Sequence, residues 1–218
     1  MNTYYQSDEA LRERIEHAYV ASENDLGWRF LMSPPFVLNG ADIAFIGLNP
    51  GGSVKPNDHA EFAMSAGSAY EDESWAGSPP GRSPLQRQVL LLFKMLGTRP
   101  DEVLSGNLVP FRSPSWDTLS NKRGALRFGC DLWRDVIDRA RPRLIVSMSS
   151  IATEALSRTL NTHSPSTVPV GWGRVSAKRF EYRSGTLIGL PHLSRFGIVS
   201  RAQSQEPLRQ LFGEYWAQ

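Results

Sequence analysis

With 218 residues, 40% of them hydrophobic and 21% charged, the chain can bury a core of its own, and no apolar run is long enough to span a bilayer. A single cysteine, Cys130, excludes an intrachain disulfide and any four-cysteine zinc or iron–sulfur centre, and it reads as a packed core thiol. The net charge of +2 hides an asymmetry: residues 1–108 carry 8 Lys and Arg against 14 Asp and Glu, while residues 109–218 carry 16 against 8, which places a polyanion-binding face in the second half.

One domain over residues 1–218 is expected, and the polar N-terminus lacks the apolar core of a secretory signal, so a cytoplasmic protein is expected. Asp8 to Ala21 sets Leu11, Ile15, Ala18 and Tyr19 at helical spacing, with Ser7 placed to cap the start. Residues 24–40 read as loop. The stretch Ala41 to Gly52, ADIAFIGLNPGG, is the centre of the chain: Ile43, Ala44, Phe45, Ile46 and Leu48 form a continuous apolar run bounded by turn residues, the pattern of a central parallel strand. Asn49 is the polar side chain at its carboxyl end, held by Pro50, and Gly51 and Gly52 let a ligand or its phosphate approach the main chain.

Residues 53–83 form a long loop rich in Gly, Ser, Pro and acidic residues, with Phe62, Tyr70 and Trp75 among its aromatics; a loop of this length after a sheet edge favours function. A helix is expected from Pro84 to Leu96, ended by Gly97. A second strand is expected over Glu102 to Phe111, carrying Asn107 among apolar neighbours, followed by a basic, aromatic loop from Arg112 to Arg123. A helix over Leu126 to Ala140, a strand over Arg143 to Met148 and a helix from Ser149 or Ser150 to Leu160 come next. Residues 161–173 read as a Pro/Ser/Thr loop, Arg174 to Tyr182 and Thr186 to Leu190 as strands, and Gln205 to Trp216 as a closing helix. Alternating strands and helices imply a mainly parallel sheet with helices on both faces.

Three strands then end in a polar residue, Asn49, Asn107 and His192, and in a parallel sheet those ends share one edge and one crevice. There Asn49 can hold a water, Asn107 can read an amide-like ligand edge, and His192 can donate to developing negative charge. This is a hydrolytic set with neither metal nor nucleophile. A serine hydrolase built on Ser147, Ser149 or Ser150 lacks the Gly-x-Ser-x-Gly elbow, and the scattered His17, His59, His163 and His192 do not make a metal site.

Gly47-Leu48-Asn49-Pro50-Gly51, the Asn107 strand and Pro191-His192-Leu193-Ser194, in this order, resemble the motifs of the uracil-DNA glycosylase superfamily, in the Gly-x-Asn-Pro-Gly form of its mismatch-specific and single-strand-selective branches. The likeness runs from about residue 40 to the end, with a departure at Leu193, where many members carry proline. It implies a three-layer α/β/α sandwich around a four-stranded, mainly parallel sheet, and hydrolytic excision of uracil or a related damaged base from duplex or single-stranded DNA, with no cofactor and no metal. By the resemblance Asn49 orients water, Asn107 recognises uracil, His192 stabilises the departing base, and Gly47, Leu48, Pro50 and Gly51 shape the pocket. The base stacks on Phe62, Tyr70 or Trp75; Ser194 and Arg195, together with Arg112, face DNA, while Phe196 or Ile198 fills the gap in the helix. DNA is the expected partner of a monomer, and the alternative is a member of the same fold that binds a nucleobase or DNA without cutting it.

Overall fold

In the computed structural model residues 6–55 and 60–217 are described. Asp58 and His59, expected on a loop surface, lie outside them, as do residues 1–5.

The apolar run becomes strand β1, Ile43–Gly47, buried along its whole length. It pairs in parallel with β2, Leu104–Asn107, on one side and with β3, Leu144–Met148, on the other; β3 in turn pairs in parallel with β6, Gly185–Leu190. β5, Val175–Tyr182, and β4, Ser166–Trp172, add an antiparallel ribbon, and the order among the described residues is β2-β1-β3-β6-β5-β4.

Helices cover both faces, which is why β1 tolerates no polar position. Ala44 and Ile46 join one apolar cluster with Leu11 and Ile15 of α1 (Asp8–Val20), Trp133 and Val136 of α4 (Lys122–Ala140), and Leu156 of α5 (Ser150–Thr159). Phe45 points the other way, into a cluster with Val89, Leu92 and Phe93 of α3 (Pro84–Met95) and Leu208, Leu211 and Phe212 of α6 (Ala202–Phe212). Its ring meets Tyr70 and Phe93 edge-on at 5.7 and 5.6 Å, so Phe45→Ala costs about 3–5 kcal/mol. The helix starts are written locally: Ser7 accepts from the Ala10 N–H, and Ser83 and Gln86 form a reciprocal capping box.

The expected four-stranded sheet is corrected to six strands: four parallel strands stand as a unit, and the ribbon extends them. The new strand is β4, within residues expected as loop. Thr167, Val168, Val170 and Trp172 are strand formers, and Pro169 is admitted because β4 is an edge; Val170 is fully buried in the cluster that α6 shares. Three boundaries shift as well. β2 is shorter than expected, because Pro100–Glu102 forms a 3-10 turn and the chain beyond Asn107 leaves the ladder. α4 begins at Lys122, where Asn121 in a left-handed conformation accepts from the Gly124 N–H. The closing helix ends at Phe212 and continues as a 3-10 turn over Gly213–Tyr215. A short helix α2, Ala69–Asp72, lies inside the long loop.

The segment before β1 does more than connect. Trp28 and Leu31 bridge to Phe111 and Gly106, which lays residues 28–31 along β2 and brings Arg29 to the carboxyl edge of the sheet. Among the described residues no helix is long and apolar enough to cross a membrane.

Candidate functional site

The register Gly47↔Asn107 in β1 and β2, and Met148↔Leu190 in β3 and β6, aligns the carboxyl ends of the four parallel strands. A cleft of about 1310 Å³ opens along that edge. Asn49, Asn107 and His192 all line it, with Leu48, Pro50, Gly51, Arg112, Tyr70, Trp75, Ser194, Arg195 and Phe196.

Asn107 closes β2 and is 6% exposed. Its carbonyl accepts from the Trp133 indole at 2.8 Å, which fixes the backbone, while the side-chain Nδ2 is buried without a partner. Such an orphan donor costs roughly 1–3 kcal/mol until a ligand satisfies it. Gly47 does not line the cleft; it lies beneath this amide. A Cβ there would stand 2.6 Å from Asn107 Oδ1, so glycine is what lets the amide lie over β1.

Asn49 comes just after β1 ends. Its Nδ2 donates to Ser113 Oγ at 2.8 Å and to the Pro50 carbonyl at 3.2 Å, and Ser113 in turn donates to the Ser115 carbonyl. The amide is therefore held by its nitrogen, with Oδ1 as the acceptor left for a ligand or water.

His192 sits just beyond β6, in a turn closed by the Arg195 and Phe196 N–H groups donating to its carbonyl at 2.9 and 3.0 Å. Nδ1 lies 2.8 Å from Ser194 Oγ. Burial, and then the charge of Arg195, hold the imidazole below its ordinary pKa, so it is neutral at pH 7. Leu193, where the resembling pattern often has proline, is buried in the core and anchors this turn.

The three candidate stacking aromatics separate. Phe62 is 3% exposed and does not line the cleft: the Leu31 N–H donates to its carbonyl, and its ring packs on Phe30 at 5.7 Å beneath Arg12. Tyr70 lines the cleft but is buried against Phe45 and Phe93, and burial raises its phenol pKa. Trp75 is half-buried, packed edge-on to Tyr70 at 5.2 Å, and its indole donates to Glu73 at 2.9 Å. It is the wall a flat ligand can reach. Among the expected wedge residues, Ile198 is fully buried in the core, and Phe196 packs edge-on against Trp172 at 6.0 Å, while Arg195 is exposed at the rim.

Sequence reasoning missed the charged floor. Arg29 is 3% exposed and paired fork to fork with Glu73 at 2.7 and 2.8 Å, and Gln86 donates to the Glu73 carbonyl at 2.6 Å. The signal was present in Gly27-Trp28-Arg29-Phe30-Leu31, an arginine inside an apolar run, which needs a buried partner. Ser113, which orients Asn49, and Lys178 and Ser176 of β5, which also line the cleft, carried no such signal. Among the described residues no group of His, Cys, Asp and Glu is placed to hold a metal ion. No family model matches this chain, and no curated protein is significantly similar to it.

Proposed function

We propose that this protein is a DNA glycosylase of the uracil-DNA glycosylase type, one that flips out uracil or a related damaged pyrimidine and hydrolyses its N-glycosidic bond. What supports this most is the meeting of Asn49, Asn107 and His192, 143 positions apart at the extremes of the chain, on one cleft at the carboxyl edge of four parallel strands. The cleft holds a half-buried indole for a flat ring and a buried amide that still needs a partner.

Asn107 Nδ2 donates to uracil O4 while Oδ1 accepts from N3–H; cytosine presents the opposite pattern and leaves buried groups unpaired, a difference of several kcal/mol at about 1–3 kcal/mol for each group. A water bound by Asn49 Oδ1 adds to C1′ as the C1′–N bond breaks; that bond's electron pair leaves with the base, and the proton shed by the water passes to the departing uracil or to solvent, since the amide cannot take it. In the tautomer whose Nδ1 accepts from the Ser194 hydroxyl, the neutral imidazole carries its proton on Nε2, and this N–H meets the negative charge growing on uracil O2. No step needs a metal or cofactor. A base reaches this cleft only after leaving the stack, and in this reading Arg195, exposed at the rim, grips the strand.

A second reading has its own observation. An amide at position 49 cannot take a proton, and four cations, Arg29, Arg112, Lys178 and Arg195, line the cleft against two carboxylates, Glu73 and Glu154, a field that disfavours a cationic sugar. A protein that retains the base without cutting would keep such a site. Oligonucleotides carrying one uracil, single-stranded or opposite G or A, separate the two: alkali-labile abasic sites are expected, whereas retention without strand scission after alkali identifies a binder.

A further inference from the structure

We propose that the Gly51–Gly52 turn, with the Arg112 guanidinium laid against it and Arg29 close by, is a phosphate subsite that takes a backbone phosphate flanking the nucleotide whose base enters at Asn107. The identity of that nucleotide rests on the base-excision reading; the anion subsite itself does not.

The turn is bare on one side and covered on the other. A methyl group built on Gly51 meets no atom of the described residues within 4 Å, and Gly51 lines the cleft, so the main chain faces it there. Gly52 has φ +124°, and a methyl group on it would stand 3.4 Å from Arg112 Nη1, which itself donates to the Gly51 carbonyl at 2.6 Å. The guanidinium is thus fixed on the turn by one of its nitrogens, and its Nε is buried with no partner. Arg29 is in the same condition: Glu73 takes both of its Nη groups, and its Nε is buried and unpaired.

Charge leads to the same place. Both guanidiniums line the same cleft, and Arg112 holds its proton less tightly than an ordinary arginine, first through desolvation, then through the charge of Arg29, with Glu73 acting the other way. Two cations against one carboxylate leave a positive charge in a partly desolvated site. The Arg112 N–H donates to the Gly27 carbonyl at 3.0 Å, which holds its backbone beside the segment that carries Arg29. A planar fork with unspent N–H donors beside an open glycine main chain is a setting for phosphate oxygens.

The test uses the full chain and two probes. Inorganic phosphate, titrated by calorimetry, should bind the wild type saturably and bind Arg112→Gln and Gly51→Ala about tenfold more weakly, the first for a lost charge-assisted donor and the second for lost room. Gly51 has no positive φ, so its alanine variant folds. A uracil-containing oligonucleotide with a neutral methylphosphonate at one linkage flanking the uracil should then bind the wild type about tenfold less tightly than its phosphodiester parent, and Arg112→Gln should not distinguish them. Equal phosphate binding by all three proteins overturns the subsite. Phosphate binding without sensitivity to either flanking linkage overturns its assignment to DNA. Both effects in a protein that leaves uracil in the strand would uphold the subsite and reject base excision.

Discussion

The two edges of the parallel sheet are made by the same strands and finished in opposite ways. At the amino edge the polar groups flanking β1 and β3 are paired: Asp42, just before β1, takes two bonds at 2.6 and 2.7 Å from Arg143, just before β3, and the hydroxyls of Tyr215 and Tyr182 donate to the Arg143 and Pro142 carbonyls. At the carboxyl edge Asn107 Nδ2, Arg29 Nε and Arg112 Nε are buried without partners, and the neutral His192 is kept from its ordinary titration range. Unspent donors cost stability, so an edge that keeps several of them is shaped for a ligand, and the edge that spends them is shaped for the fold. Substitutions at the two edges should therefore act on different observables.

The largest effect is expected at His192. His192→Ala should lower excision of uracil by about 10²–10³-fold, the scale for removing one donor to developing charge, while leaving retention of the oligonucleotide and the unfolding midpoint close to wild type. Undiminished cutting would remove His192 from its role. Glu73→Gln comes next and breaks the simple contrast, because it lies at the cleft yet should cost stability: it leaves Arg29 buried beside a neutral amide, for about 2–3 kcal/mol in urea unfolding, below the usual figure for a buried pair because Glu73 is 26% exposed. The Trp75 indole loses its carboxylate acceptor in the same variant, so its fluorescence should shift.

Arg195→Ala should act more mildly and in two readouts. The slope of log binding against log salt should become shallower by about one, and His192 should titrate at a higher pH by NMR, because a neighbouring cation that disfavoured the imidazolium is gone. A His192 titration unmoved by this change would leave burial as its sole cause. Asp42→Asn, at the other edge, should do least, since both partners of its ion pair are more than half exposed. The hydrogen bond from Arg143 holds Asp42 below its ordinary 3.8, so whatever the pair contributes is present above that pH and fades as acid protonates the folded carboxylate. The thermal midpoints of variant and wild type should then converge in acid, with excision of uracil unaffected throughout.

Much of the fold was legible because local signals agreed with the tertiary result. The run Ile43 to Ile46 is apolar on both alternations and so demanded cover on both faces; Ser83-Pro84 and Gly97 bracket α3 as capping chemistry requires. β4 was missed because Pro, Ser and Thr dominate the segment around it, and an edge strand forgives a proline that a central strand would not. Phe62 and Tyr70 were indistinguishable along the chain from Trp75. Their burial is decided by partners far away in sequence, Phe30 for one and Phe45 and Phe93 for the other.

The sequence by itself determined that parallel strands would carry Asn49, Asn107 and His192 at or just past their carboxyl ends, because an apolar run closed by a turn residue needs no partner to be recognised and parallel pairing aligns such ends. Only the tertiary structure decided which groups stay unpaired there, that Glu73 is taken by Arg29 and that the Asn49 amide is held by Ser113, because hydrogen-bond satisfaction depends on neighbours brought from 44 and 64 positions away.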